Sequence, residues 1–163
     1  MASKNTPAGK LIFTATQGSN DAFVEAEVET GLNQVGSGAK IAYRILEVGV
    51  RLSVLPQTNG AQMEFTLTRQ SQASIPTLSE RSLIWAFTRY ATLTTSGANF
   101  QEQIIRWQPV DAANVIIVEN PLYVQLDSAS TSASNSAVGY ILYEQVSITE
   151  VERLALIAQS LGS

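Results

Sequence analysis

A chain of 163 residues with 45% hydrophobic side chains fits one domain with an ordinary core. It has no cysteine and no histidine, which removes disulfides, thiolate chemistry, the usual zinc ligands and every catalytic triad that needs an imidazole. Charged residues are only 15%, below the ~25% of an average domain. Ser, Thr, Asn and Gln fill the gap, and such a surface loses less solvation energy when a neighbour covers it.

Net charge is −4, from 10 Lys and Arg against 14 Asp and Glu. Lys4, Lys10, Lys40, Arg44, Arg51, Arg69, Arg81, Arg89, Arg106 and Arg153 are spread along the chain rather than clustered, which argues against direct nucleic-acid binding. The opening MASKNTPAGK lacks the apolar stretch of a signal peptide. No apolar run approaches the ~18 residues of a membrane-spanning helix.

Period-2 alternation recurs along the chain and predicts strands. Leu11, Phe13 and Ala15 share one side of the first, and Gln17–Asp21 turns the chain. Ala22, Val24, Ala26 and Val28 then alternate with Phe23, Glu25, Glu27 and Glu29. A glycine-rich loop, Gly31 to Gly38, precedes a long strand with Leu46, Val48, Val50, Leu52 and Val54 on one side and Glu47, Gly49, Arg51 and Ser53 on the other. Leu55–Gly60 ends in Asn59-Gly60, and Met63, Phe65 and Leu67 alternate after it. Two alternating runs around Asn-Gly predict a hairpin pairing Ile41–Leu55 with Ala61–Arg69.

Gln70 to Ser79 reads as a loop containing Pro76. Residues 82–93 suit a strand or a short helix, with Leu83, Trp85 and Phe87 favouring the strand. Thr94–Asn99 is a turn, and Gln103–Gln108 a strand closed by Pro109. Asn114–Glu119 and Pro121–Asp127 form one strand broken at Asn120-Pro121 or two short ones, with Pro121 implying an edge or a bulge. Residues 128–136 (SASTSASNS) read as a flexible small-residue loop, and Gly139–Ile148 as the last strand. Eight or nine strands without a crossover helix predict a sandwich or barrel.

One helix closes the chain. Thr149 and Glu152 form a capping box, and Val151, Leu154, Ala155, Ala158 and Leu161 share one helical face before Gly162. At about three turns it needs a surface to dock on, either its own domain or a neighbouring subunit.

Chemistry-bearing constellations are weak. Glu25, Glu27 and Glu29 stand ~6.5–7 Å apart on one strand face; they suit a solvated face that repels edge pairing better than a cation site. Carboxylates can hydrolyse glycosides without histidine, but nothing pairs Glu64, Glu102, Asp127 and Glu144. Trp85 and Trp107 read as core residues. The glycines at 31, 36 and 38 match no phosphate-binding pattern. No catalytic, cofactor-binding or metal-ligating residues are assigned, and no enzyme is expected.

In the order and texture of these strands, residues 10–161 resemble a viral single-jelly-roll capsid protein, similar to small coat proteins of icosahedral archaeal or bacterial DNA viruses. The resemblance rests on a short polar arm, the long strands Ile41–Leu55 and Ala61–Arg69, Ser/Thr/Asn-rich loops and a short tail helix. It implies an all-β, eight-stranded antiparallel sandwich of jelly-roll type with sheets ordered BIDG and CHEF and a short C-terminal helix. The parts would be an arm (1–9), a jelly-roll domain (10–148) and a tail helix (149–163). It also implies a virion location, a homo-oligomer in a large icosahedral shell, other capsid or vertex proteins as neighbours, and no catalytic residues. Residues 1–10 hold only Lys4 and Lys10, so genome contact would fall to an internal membrane, a second protein or counterions. The segments expected to make assembly contacts are Met1–Gly9, 70–79, 128–136 and 150–161. The rival reading is a carbohydrate- or ligand-binding β-sandwich or virion spike, which requires an exposed aromatic cleft around Trp107 or Tyr123.

Overall fold

The computed structural model describes residues 8–32, 41–53, 60–90, 104–110, 115–131 and 134–161. The described strands, in chain order, are β1 (Ala8–Thr16), β2 (Val24–Val28), β3 (Ile41–Leu52), β4 (Gln62–Thr68) and β5 (Leu83–Tyr90), then β6 (Ile104–Trp107), β7 (Ile116–Ile117), β8 (Leu122–Ala129) and β9 (Ser136–Ser147). A helix, α1 (Glu150–Leu161), follows. One sheet is ordered β1-β9-β3-β6, with the short β7 also on β3; the other is ordered β2-β8-β4-β5. All these pairings are antiparallel. With β7 set aside and the other eight strands lettered B to I, the sheets read BIDG and CHEF. The protein is a jelly-roll β-sandwich.

Alternation makes the core. Phe13 and Ala15 of β1, Val48, Val50 and Leu52 of β3, Met63, Phe65 and Leu67 of β4, Leu122, Val124 and Leu126 of β8, and Ile141 of β9 are all buried between the sheets. Each large side chain contributes about 1.5–3 kcal/mol on burial, so these inward rows dominate the stability. Phe13 stacks on Phe65 across the sandwich at 5.8 Å between centroids. At the β5–β6 end Trp85 and Trp107 stack at 5.7 Å with planes 7° apart; both are half-buried and pack against the core.

Several expectations are corrected. The runs at 41–55 and 61–69 do not form a hairpin: β3 pairs with β9, β6 and β7, while β4 pairs with β5 and β8. The connection crosses from one sheet to the other. Alternation reports that a strand has one buried face, and both strands have one; it does not report which neighbour supplies the hydrogen bonds. Gly60 does adopt the left-handed backbone expected of it, at φ 83°, while residues 54–59 lie outside the described residues.

Leu46 is not on the core face. A bulge between Ile45 and Glu47 inserts it as an extra residue, so Ile45 and Val48 both point inward and Leu46 is exposed. Val54 lies outside the described residues. Within 82–93, Leu83–Tyr90 form a strand, β5, and residues 91–93 lie outside the described residues. The segment around Asn120-Pro121, whose peptide bond is cis, separates two strands that belong to different sheets. Pro121 marks neither an edge strand nor a bulge, since β8 lies between β2 and β4 and Pro121 precedes it. The last strand starts at Ser136, earlier than its alternation suggested. Most of the glycine-rich loop (33–40) and the turn at 94–99 fall outside the described residues.

Candidate assembly surfaces

The outward rows of the first sheet follow from its register. Ile12 stands beside Tyr140, Tyr140 beside Gly49, and Gly49 beside Arg106. The next row runs Thr14, Val138, Arg51 and Ile104. Ile12, Ile104 and Val138 are exposed large apolar residues, Ile12 at 63%. With Gly49, Arg51, Gly139 and Tyr140 they line a shallow groove of about 310 Å³. Tyr140 lies across Gly49, where any side chain would collide with its ring. Lys10 Nζ sits 4.6 Å from the ring centroid, a cation–π contact. The Tyr140 hydroxyl donates to Glu47, and Gln108 Nε2 donates to the same carboxylate at 2.6 Å. The Tyr140 bond, then that of Gln108, holds the Glu47 carboxyl below its ordinary range, and the same Tyr140–Glu47 bond raises the phenol's pKa.

The outward side of the second sheet is acidic. Glu25 and Glu27 of β2, Asp127 of β8 and Glu64 of β4 all point away from the core, and Glu64 stands directly opposite Asp127. Half of this face is roofed by the loop that follows β4. Thr68 Oγ1 donates to the Gln70 carbonyl at 2.7 Å, and the Gln72 amide donates to Glu25 Oε2 at 2.7 Å. Ser71 Oγ also donates to Glu25. Beneath the roof Gln125 is fully buried: Nε2 donates to Glu25 Oε2 and Thr68 Oγ1, each at 2.8 Å, and Oε1 accepts from Thr66 Oγ1 at 2.7 Å. Segment 70–79, expected to be free for assembly contacts, is thus partly tied to its own domain.

The serine-rich segment is also not a free tip. Ser128, Thr131 and Asn135 are buried. They surround Gln17, whose Oε1 accepts from the Asn135 amide at 3.0 Å and whose Nε2 donates to Ser128 Oγ at 2.9 Å. Asp21 Oδ1 accepts from Thr131 Oγ1 at 2.8 Å and from its amide at 3.1 Å. Those bonds hold the Asp21 carboxyl below its ordinary range. Composition suggested flexibility because small polar residues form no apolar core; here they instead satisfy one another across two loops. Residues 132–133 lie outside the described residues.

A third polar cluster joins the sheets where the chain crosses to β8. Thr30 Oγ1 donates to the Glu119 carbonyl at 2.7 Å, and the Thr30 amide to Asn120 Oδ1 at 2.8 Å. Tyr43 OH donates to the Thr30 carbonyl at 3.0 Å, and burial pushes its pKa up to about 12. Arg69 pairs with Glu119 at 3.0 Å and donates to the Ile116 carbonyl at 2.9 Å.

The helix begins as its sequence requires. Thr149 Oγ1 accepts from the Glu152 amide at 3.2 Å and Glu152 Oε2 accepts from the Thr149 amide at 2.7 Å. It rests on its own domain, with Gln70 Nε2 donating to the Ser160 carbonyl at 3.1 Å. Arg69, Asn120, Pro121 and Tyr123 line a cleft with Ile157 and Ser160. The predicted apolar stripe is not the docked face. Val151 and Leu161 are 77% and 65% exposed, and Leu154 is 56% exposed, while Leu156, Ile157 and Ser160 turn toward the body. The body offers Arg69, Gln70 and Arg81 at this place, so a mixed polar face fits it and the apolar stripe is left outward.

Of the four carboxylates that nothing in the sequence paired, Glu64 and Asp127 are brought together as cross-strand neighbours, Glu144 pairs with Arg44, and Glu102 lies outside the described residues. Glu25 is held by Ser71, Gln72 and Gln125. Among the described residues no group of three acidic side chains is gathered as for a metal ion, and no helix is long and apolar enough to cross a membrane. The sequence reading missed the gathering of Lys10, Arg51 and Arg106 on one sheet face. The signal lay in the alternation phase: each residue flanks inward-facing neighbours on its own strand.

No protein-family model matches the chain, and no curated protein matches it. Among solved structures, a chain of Desmodium yellow mottle tymovirus aligns over 92% of this chain and 93% of its own length, with 9% identity and a TM-score of 0.37. A chain from the structure of infectious bursal disease virus Gx strain aligns over 93% of this chain and 44% of its own, with 8% identity and a TM-score of 0.22. At those scores the assignment of the fold stands on the strand pairing itself.

Proposed function

We propose that this chain is a virus coat subunit that assembles with copies of itself into an icosahedral shell, and that it performs no catalysis. The observation that carries this reading is the outward apolar stripe of α1, with Val151 and Leu154 open and Leu161 exposed at the rim of the cleft, on a helix whose other face is already docked. A solvated helix ordinarily turns its polar side outward; the reverse arrangement suits a surface that a neighbour covers. The jelly-roll order supports it by fold-level analogy, and the weakly charged surface lowers the desolvation cost of packing subunits together. The virion is then where the protein acts, and other coat or vertex proteins and an internal membrane are the neighbours such a shell accommodates. For the carbohydrate-binding alternative, Tyr123 lines the cleft beside α1 but is half-buried, and Trp107 is half-buried against Trp85 rather than presented in an open aromatic cleft.

The test is Leu154→Asp. The side chain is more than half exposed, so the Tm of the isolated subunit should move by no more than a few degrees. Light scattering and negative-stain microscopy should show particles for the wild-type chain and none for the variant. A wild-type chain that stays monomeric at every concentration overturns the proposal, as does a variant that assembles at normal yield.

A further inference from the structure

The two outer faces of the sandwich carry opposite charge. On the first sheet the outward positions hold Lys10, Arg44, Arg51 and Arg106 against Glu47 and Glu144. On the second they hold Glu25, Glu27, Glu64 and Asp127, with no base at the described outward positions of its strands. Lys10, Arg51 and Arg106 are exposed around the apolar Ile12, Ile104 and Val138.

The acidic face also sets two like charges side by side. Glu64 and Asp127 are direct cross-strand neighbours, a placement that destabilises a sheet when the charges are alike. Among the described residues neither carboxylate is ion-paired. The field of this face extends to Tyr123, whose phenol pKa is raised first by burial and then by Glu27, Glu25 and Glu29. The roof loop covers the Glu25–Gln125–Thr66 part of the sheet and leaves the rows Asp127–Glu64–Thr88 and Ala129–Gln62–Tyr90 uncovered. Tyr90 and Ala129, in the outermost of these rows, are exposed.

We infer that the outer face of the β1-β9-β3-β6 sheet docks on the uncovered outer face of the β2-β8-β4-β5 sheet in a neighbouring copy of this chain. This rests on the coat-subunit reading and names its contact. Lys10 and Arg106 bring positive charge to Glu64 and Asp127, while Ile12, Ile104 and Val138 meet Tyr90 and the small Ala129. The contact is head-to-tail, so each copy uses both faces, and the copies form a ring where the rotation between neighbours closes and a filament where it does not. Four strands ~4.8 Å apart and about six residues long span a patch of roughly 15 by 20 Å. That is well below the ~800 Å² per partner of a stable pair. The contact is therefore weak alone and firm when each copy makes two of them in a closed ring.

The test uses two full-length variants. Lys10→Glu with Arg106→Glu turns the first face acidic like the second; Glu64→Lys with Asp127→Lys turns the uncovered patch of the second face basic like the first, with Glu25 and Glu27 left in place beside it. Each alone is expected to need at least a roughly fivefold higher concentration to assemble than the wild type, and an equimolar mixture is expected to assemble near the wild-type concentration. Wild-type assembly is expected to weaken between 0.1 and 1 M salt, where the screening length falls from about 10 to about 3 Å. Circular dichroism verifies folding, and Lys10→Gln with Arg106→Gln replaces the first variant if it does not fold; its assembly is then expected to weaken in the same direction. Particles that form as readily from either variant alone, or a mixture that gains nothing over its components, overturn the inference while leaving the coat-subunit reading intact. So does binding of the wild type to anionic phosphatidylserine vesicles that is lost in the Lys10/Arg106 variant whose self-assembly is unchanged. A wild type that never assembles removes the coat-subunit reading itself.

Discussion

Gly139→Ala probes the close approach of β9 to β3 and β1. Gly139 lies in β9 opposite Val50 of β3, and its α-carbon faces the core. A Cβ there would come closer than 3.0 Å both to the Gly49 carbonyl oxygen and to the Phe13 ring. Neither obstacle moves freely: one is backbone in the central β3, and the other is a ring stacked at 5.8 Å on Phe65. Overpacking of this kind costs about 1–3 kcal/mol, and two fixed obstacles place it near the upper end. Replacing glycine within a strand returns up to ~1 kcal/mol of backbone entropy, leaving about 2 kcal/mol of net destabilisation. At an m-value of about 2 kcal/mol per M, the urea midpoint should fall by about 1 M. Gly18→Ala is the control. Nothing lies within 4 Å of its Cβ and its φ is not left-handed, so it should gain about 0.5 kcal/mol by restricting the unfolded chain. Urea melts followed by tryptophan fluorescence measure both. A Gly139→Ala midpoint equal to that of Gly18→Ala would refute the close approach of β9, β3 and β1.

Gln125→Ala removes a fully buried amide that serves Glu25, Thr66 and Thr68 together. Leaving those groups short of partners should cost about 3 kcal/mol, read as a urea midpoint lower by more than 1 M. Asp21→Asn tests linkage. The folded-state pKa of Asp21 lies below its ordinary 3.8, so its ionised form stabilises the fold above that value. The contribution is lost as pH falls through the folded-state pKa. The stability difference between wild type and variant should stay constant from pH 7 to pH 5 and shrink below about pH 3.8, and thermal melts across that range measure it.

Phe13, Ala15, Val48, Val50, Leu52, Met63, Phe65 and Leu67 were legible as core in the sequence, because each recurs at period 2 with polar residues between. The capping box at Thr149 and Glu152 was legible for the same kind of reason: two side chains and two backbone amides three residues apart settle it locally. The strand that Leu83, Trp85 and Phe87 favour, and the packing of Trp85 and Trp107 against the core, were readable from residue type. A bulge at Leu46 was not, since one inserted residue leaves the alternation looking continuous across it.

Nor was the acidic and basic division of the candidate surfaces. It required knowing that Lys10, in the first strand, shares a sheet with Arg106, almost a hundred positions on. Gln17 reached Ser128 and Asn135 across a comparable distance, which turned a segment of flexible composition into a bonded cluster. What sequence by itself determined was therefore local: which residues form strands, which side of each strand is apolar, and where the helix begins. Tertiary structure alone decided which strands are neighbours, and with them which surfaces carry charge and which helix face stays open. The physical reason is that alternation encodes a buried face without naming the partner that buries it. The partner is chosen by closing long loops around one shared core.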